Sequence, residues 1–324
     1  MTMNYLEQGG DYLAAPEQIS YARQSTLTDG DGCGQRMIDV FNGVGLACTI
    51  TPDRALNIVE CSYRGIPLVY RTPGGHRKPR GVFQQDWSAG LLTTCGLRNI
   101  GVASGDEPQH GRISQLGASG VGVSRNEAGD IAIRGTVTEG WLFGPNLVLE
   151  REITVSCSKC RITVADRVVN RGQSPDAAAL LYHCNFGYPF ASPELTLEAE
   201  EHRVEPRDEV AARGLADWRN MDTPTADYKE QCFRHILEPE ADGMASIRAV
   251  NRKLGVAVRI SYDTRTLPWL VQWKNCLKNG YVLGLEPGNG SLLGRKHDLE
   301  HGLLARLAPG EATDFKVRID FEDA

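Results

Sequence analysis

VLEREITVSCSKCRITVADRVV, residues Val148–Val169, alternates apolar and polar side chains almost without interruption. Ile153 and Val155 share one face of an extended chain, and Ile162 and Val164 share one after the polar break at Ser158-Lys159. Successive side chains on a strand point to opposite faces, so this period of two, rich in β-branched residues, predicts two strands joined by a polar turn. Cys157 and Cys160 fall at that turn, and no second pair stands at zinc spacing. They read as two strand thiols rather than a metal site.

The same period recurs outward from this hairpin. Gly43–Ile50, Ala55–Val59, Ile131–Val137, Ala178–Asn185, Leu195–Val204, Ala245–Val250, Val256–Tyr262, Tyr281–Glu286 and Phe315–Phe321 are the further predicted strands. Turn signals separate them, the sharpest being Asp29-Gly30-Asp31-Gly32-Cys33, which lacks the later ligands of a calcium loop. Glycine is enriched, with 35 residues in 324, as a chain of many turns requires. No stretch longer than about three turns carries a 3.6-residue apolar stripe. Many short strands with few helices predict a mainly β architecture, a large sandwich or barrel of antiparallel sheets. No repeat or linker divides the chain, so residues 1–324 read as one domain, with the acid-rich Glu198–Glu209 segment as a solvated sheet edge.

Lysine and arginine total 35 against 41 aspartates and glutamates, a formal charge of -6. The single cationic stretch, Arg64, Arg71, Arg77, Lys78 and Arg80, reads as surface or internal ion pairing, and nucleic acid is not an expected partner. The opening MTMNYLEQGGDYLAAPEQ has no basic and apolar signal pattern, and no run approaches the ~20 apolar residues of a membrane span. Nine scattered cysteines, an odd number, fit a reducing cytoplasm better than a disulfide scaffold. Nucleotide-loop, zincin and serine-hydrolase motifs are absent.

Chemistry concentrates in a few polar residues set in apolar or turn-like sequence. His183 ends the run LLY and precedes Asn185, Phe186, Tyr188 and Pro189, a polar-aromatic exit suited to a pocket rim. His110 precedes Gly111 and shares a side with Arg112 in an extended chain; it fits either a loop cap or a pocket wall. Glu286 closes Tyr281–Leu285 at a strand end; it fits either a solvent-facing position set by alternation or a base in an enclosed pocket, where a buried carboxylate needs a partner. Trp269 and Trp273, four apart, fit a core pair or a carbohydrate platform, with Lys274 beside them. Asp227, Glu230 and Gln231 form a further polar group.

TPDRALNI (Thr51–Ile58), GLLTTCGLRNIG (Gly90–Gly101), HGRIS (His110–Ser114), YHCNFGYP (Tyr182–Pro189), EQCFRH (Glu230–His235), LPWLVQWK (Leu267–Lys274) and YVLGLEPGN (Tyr281–Asn289) run in order along the chain. Together they resemble the galactose-mutarotase-like superfamily, and within it a branch of aldose 1-epimerase-like proteins known as a domain of unknown function. The resemblance implies a β-supersandwich with a sugar cleft on a concave sheet. It implies His183 as general acid, Glu286 as general base and His110 as a second histidine beside the sugar. Asn185, Tyr188, Trp269, Trp273 and Lys274 are the expected further substrate contacts; Asp227 or Glu230 stands in for the aspartate that holds sugar hydroxyls, and Arg71 or Arg112 for the arginine beside the ring.

The implied reaction interconverts the anomers of a monosaccharide or small sugar derivative, with no cofactor and no metal. Three other readings remain open at this stage: a sugar sensor without catalysis, a sugar isomerase or lyase of different specificity, and a metal-dependent enzyme on His110, His183 and Glu286. Hydrolysis ranks below them, because a glycosidase places two carboxylates and only one is well placed here.

Overall fold

The structure is a computed structural model that describes residue 9 and residues 11–324. Half of the opening segment inspected for a targeting signal lies outside the described residues.

The predicted hairpin forms as two ten-residue strands, Asn146–Val155 and Arg161–Asn170, paired antiparallel from Ile162↔Val155 to Asn170↔Leu147. It lies inside an eight-stranded sheet with the order Leu195–Glu198, Met244–Asn251, Val256–Asp263, Ala312–Asp323, Arg161–Asn170, Asn146–Val155, Ile131–Gly140, Ser119–Arg125. A six-stranded sheet follows the order Arg203–Pro206, Gln231–Ile236, Trp269–Leu277, Gly280–Gly288, Ala179–Phe186, Thr93–Leu97. A five-stranded sheet runs in chain order from Tyr21–Thr26 to Ile66–Pro67. Every strand pairing within these sheets is antiparallel. The helices Phe83–Asp86, Glu209–Arg213 and Arg295–Glu300 are each under two turns. Among the described residues no helix is long and apolar enough to cross a membrane.

One expected strand divides. Leu195–Val204 splits into Leu195–Glu198, on the edge of the eight-stranded sheet, and Arg203–Pro206, on the edge of the six-stranded one. Alternation is a local property and does not tell which sheet a residue joins. The acid-rich segment therefore passes from one sheet edge to another, where its carboxylates meet Arg248, Arg252 and Arg234.

Two sheets pack face to face over the main core. Leu149, Ile153, Val164 and Ile319 of the eight-stranded sheet share it with Leu180, Tyr182, Cys184, Leu283 and Leu285 of the six-stranded sheet. Across it runs a fully buried polar clamp. The Arg151 guanidinium donates to both carboxylate oxygens of Asp166 (2.8 and 2.6 Å), to Thr94 Oγ1 and to Ala55 O, while Tyr182 Oη donates to Asp166 at 2.7 Å. Thr94 and Tyr182 immediately follow and precede Thr93 and His183, so this clamp fixes the height of the sheet from behind. The opposite, front face of the six-stranded sheet carries a second apolar cluster: Phe83, Cys95, Ile100, Ala179, Leu181 and Leu304, with Trp87 and Leu292 packed against it.

Candidate active site

Strand register brings the two principal candidates together. Leu181↔Gly288 and Cys184↔Leu285 set the pairing of two central strands, which places His183 directly opposite Glu286. Alternation turns both toward the front face, while Tyr182, Cys184 and Leu285 enter the core. His183 Nε2 stands 3.3 Å from Glu286 Oε1, off the line of a hydrogen bond. Neither Glu286 Oε1 nor His183 Nδ1 has a hydrogen-bond partner among the described residues. Buried polar atoms are nearly always satisfied, so an uncommitted one on each of two neighbouring side chains marks a place for a ligand.

Gly284 makes room for the carboxylate. A Cβ at this position would lie 2.4 Å from Glu286 Oε1 and 3.0 Å from Trp273 Cβ. Glu286 therefore folds along its own strand over the bare glycine, toward the indole of Trp273. The Trp273 ring stands edge-on to His183 with centroids 5.6 Å apart, and its Nε1 donates to Glu230 at 2.8 Å. Glu230 also accepts from Arg207 at 3.1 Å, and Arg207 reaches Cys232 Sγ at 3.0 Å.

His110 arrives from a loop held in an unusual shape. Its φ is +59°, in the left-handed region that histidine enters more readily than most residues. The His110 N–H donates to Gly101 O at 2.9 Å, and its carbonyl accepts from Gly96 N at 3.0 Å. Gly111 follows at φ +68°, where a Cβ would sit 2.2 Å from Gly96 O, so glycine after His110 is a steric requirement of this turn. The ring stands 5.8 Å from that of His183 and 4.9 Å from Phe83. Gly101 N–H approaches His110 Nδ1 at 3.4 Å, which leaves Nε2 as the protonated nitrogen of the neutral ring.

Trp87 completes the enclosure. It packs 5.3 Å from His183 and 5.9 Å from Trp273, stacks 5.6 Å from Phe83, and donates from Nε1 to Thr93 Oγ1 at 2.9 Å. Burial dominates the electrostatics that result. It pushes the Glu286 carboxyl well above its usual range, a shift reinforced by Glu230 and opposed by Arg207. It pushes His183 well below the usual imidazole value, with His110 adding to the effect, and lowers His110 to about 4. Charged forms are disfavoured on both members of the central pair.

A cleft of about 560 Å³ lies next to the buried pair, lined by His110, Arg207, Cys232 and Val271 and, further out, by Trp269, Arg234 and Leu293; His183 and Glu286 themselves are not among its lining residues. Val271 faces Glu286 across the strand pair. A groove of about 620 Å³ on the far face of the eight-stranded sheet offers less chemistry, since its Arg134 and Arg167 already pair with Glu152 and Asp314. Among the described residues no group of three or more histidine, cysteine, aspartate or glutamate side chains is placed to hold a metal ion.

Of the expected site residues, His183, Glu286, His110, Trp273 and Glu230 cluster together, and His110 and Trp269 line the cleft. The others lie elsewhere. Lys274 follows Trp273 on the strand and so points to the other face, where its buried ammonium pairs with Asp222 at 2.9 Å. Arg71 pairs with Glu60 over a separate cavity of the five-stranded sheet. Arg112 is drawn away from His110 by Glu107 and Glu139. Asn185 is buried and braces the strand end through Gly90 O and His183 O. Tyr188 and Asp227 are exposed in loops. Trp87, Phe83, Arg207 and Gly284 are site residues that sequence reasoning missed. An aromatic pair in the Gly/Pro-rich loop, FQQDW, was the available signal for the first two.

The family described as a domain of unknown function, DUF4432, matches residues 32–321. None of the curated proteins compared with the chain matches it. Among solved structures, a protein of Klebsiella pneumoniae provisionally called an aldose 1-epimerase superposes with a TM-score of 0.85 at 23% identity, covering 93% of this chain and 83% of its own. The galactose 1-epimerase of Lactobacillus acidophilus gives 0.66 at 13% identity over 94% and 99%. A galactose mutarotase-like protein of Clostridium acetobutylicum gives 0.66 at 14% over 95% and 100%. The chain belongs to the DUF4432 family and is built on the galactose-mutarotase-like fold.

Proposed function

We propose that this protein is a sugar mutarotase, an aldose 1-epimerase-like isomerase acting at the anomeric carbon. The observation that carries the reading is the buried His183–Glu286 pair, 3.3 Å apart with hydrogen-bonding capacity unspent on both side chains. Ionised Glu286 takes the proton from the anomeric O1 hydroxyl while protonated His183 gives one to the ring oxygen. The C1–ring-oxygen bond breaks to an open-chain carbonyl, the C1–C2 bond rotates, and the ring closes on the other face with the two proton roles exchanged. Proton count and electrons balance over the cycle. Burial disfavours the charged form of both partners, and once charged each is more reactive: a carboxylate raised from its usual range is a stronger base, and an imidazolium lowered from its usual value is a stronger acid.

The surrounding groups support a sugar as the ligand. Trp87 and Trp273 offer ring faces and edges to sugar C–H groups, and neutral His110 offers an Nε2–H to a hydroxyl. Glu230, held between Trp273 and Arg207, is the acidic group nearest the pair for holding hydroxyls. Nine free cysteines fit a protein kept in a reducing compartment.

Anomer-exchange NMR on a panel of aldoses and ketoses tests the reading. Glu286→Gln and His183→Asn should each lower the exchange rate by ~10²–10⁴-fold while sugar binding falls less. Glu286→Gln should also melt no lower than the wild type, because it removes a carboxyl whose charge is costly to bury. Folded variants exchanging at the wild-type rate would refute the assignment, and sugar binding without exchange in the wild type would make the protein a sugar sensor.

A further inference from the structure

The cleft beside His183 and Glu286 runs from His110 and Val271 out to Trp269, Arg234 and Leu293. Its inner end is walled by His110, Arg207 and Val271. Trp269 lies one strand across from Glu286 and two residues along, pairing with Gly288, and Arg234 lies two strands across, pairing with Val271. Strand spacings of about 4.8 Å and rises of about 3.4 Å per residue place both roughly 8–10 Å from Glu286. A ring reacting at the inner end leaves them untouched.

The outer end is built, not left over. The Arg234 guanidinium lies 4.8 Å from the centroid of the Trp269 ring, and Glu205 Oε2 accepts from Arg234 Nε at 2.8 Å to hold it there. Leu292, Leu303, the 55% exposed Leu293 and His301 line the same cleft. Flat apolar walls with polar groups at their edges are complementary to a pyranose, which presents C–H faces and a rim of hydroxyls. A purely apolar substituent would leave Arg234, Glu205 and His301 without a role. An anionic substituent would meet arginines already neutralised, Arg234 by Glu205 and Arg207 by Glu230 and Asp208.

We propose that the outer cleft is a second sugar-ring subsite, so that the preferred substrate is a reducing disaccharide or longer oligosaccharide whose reducing-end ring reaches His183 and Glu286. This assignment rests on the mutarotase reading: anomer exchange needs a free O1, so the second ring is joined through another hydroxyl of the reacting ring. Trp269 and Leu293 pack against that second ring, and Arg234 and Glu205 bind its hydroxyls.

The test is anomer-exchange NMR on glucose and galactose against cellobiose, maltose, lactose and melibiose. At least one disaccharide should be exchanged with a kcat/KM about tenfold or more above that of its own reducing-end sugar, as expected for an added stacking platform. Trp269→Ala should narrow that ratio, and Leu293→Asp, at an exposed position in the same cleft, should narrow it too should the tryptophan variant not fold. Disaccharides exchanged no better than their reducing-end sugars, or a ratio unmoved by the folded variants, would overturn the second subsite and leave the mutarotase reading standing. No exchange with any sugar would overturn both.

Discussion

Gly284→Ala is a one-carbon test of how Glu286 is placed. The glycine lies mid-strand with φ outside the left-handed region, so alanine introduces no backbone strain and stiffens the unfolded chain by about 0.5–1 kcal/mol. The new Cβ would stand 2.4 Å from Glu286 Oε1, whereas ordinary contact begins at 3.4 Å, so the oxygen must withdraw by about 1 Å (3.4 − 2.4). The carboxylate is the end of a flexible side chain and can move; Trp273 Cβ, at 3.0 Å, must yield by a few tenths of an ångström. The net stability change should therefore stay within about 1 kcal/mol, at the low end for small-to-large changes. The effect on rate should be much larger, because the displaced atom is the proposed base, and a misplacement of ~1 Å can reduce turnover ~10²-fold. Anomer-exchange NMR gives the rate, and urea unfolding of the same preparation gives the stability. A folded Gly284→Ala protein that exchanges anomers as fast as the wild type would refute the claim that this carboxylate's position sets the rate.

Acid should destabilise the fold well before the bulk of the carboxylates protonate. His235 is buried between His202 and Gln272 and lowered to about 3, and burial lowers His110 to about 4. The unfolded chain binds these protons near pH 6.5, so stability is full above that value and falls as pH drops toward the folded values, by about 1.4 kcal/mol per pH unit for each histidine. Melting temperatures should decline from pH 7 to pH 5, and a flat profile would contradict the burial of these neutral rings. Asp166→Asn should destabilise by about 3–5 kcal/mol, because it leaves the fully buried Arg151 uncompensated. Urea unfolding showing a loss under about 1 kcal/mol would mean that the clamp behind His183 contributes little beyond its packing.

Much of the fold is legible because alternation is local. Asn146–Val155 and Arg161–Asn170 form where Val148–Val169 predicts them, and Ala179–Phe186 differs by one residue from the expected Ala178–Asn185. The acid at the end of Tyr281–Leu285 was likewise visible, since a carboxylate closing an apolar run needs a reason. Alternation also implies that Trp273 and Lys274 face opposite ways. It does not say which of them enters the pocket, and composition misleads: the lysine is the residue sunk behind the sheet, because Asp222 waits there.

The period of two, the turn residues and the sparse helical pattern were enough to specify antiparallel sheets, for these depend on neighbours a few residues away. The pocket depends on pairings between residues far apart in the chain. His183 meets Glu286 through a register between strands about a hundred residues apart, and His110 joins them only because Gly96 and Gly101 hold its loop against the sheet. Trp87 and Arg207 come from loops whose local sequence resembles any solvated connection. Their place over the sheet follows from which surfaces remain uncovered once the two large sheets have buried their shared core, a consequence of the packed chain as a whole.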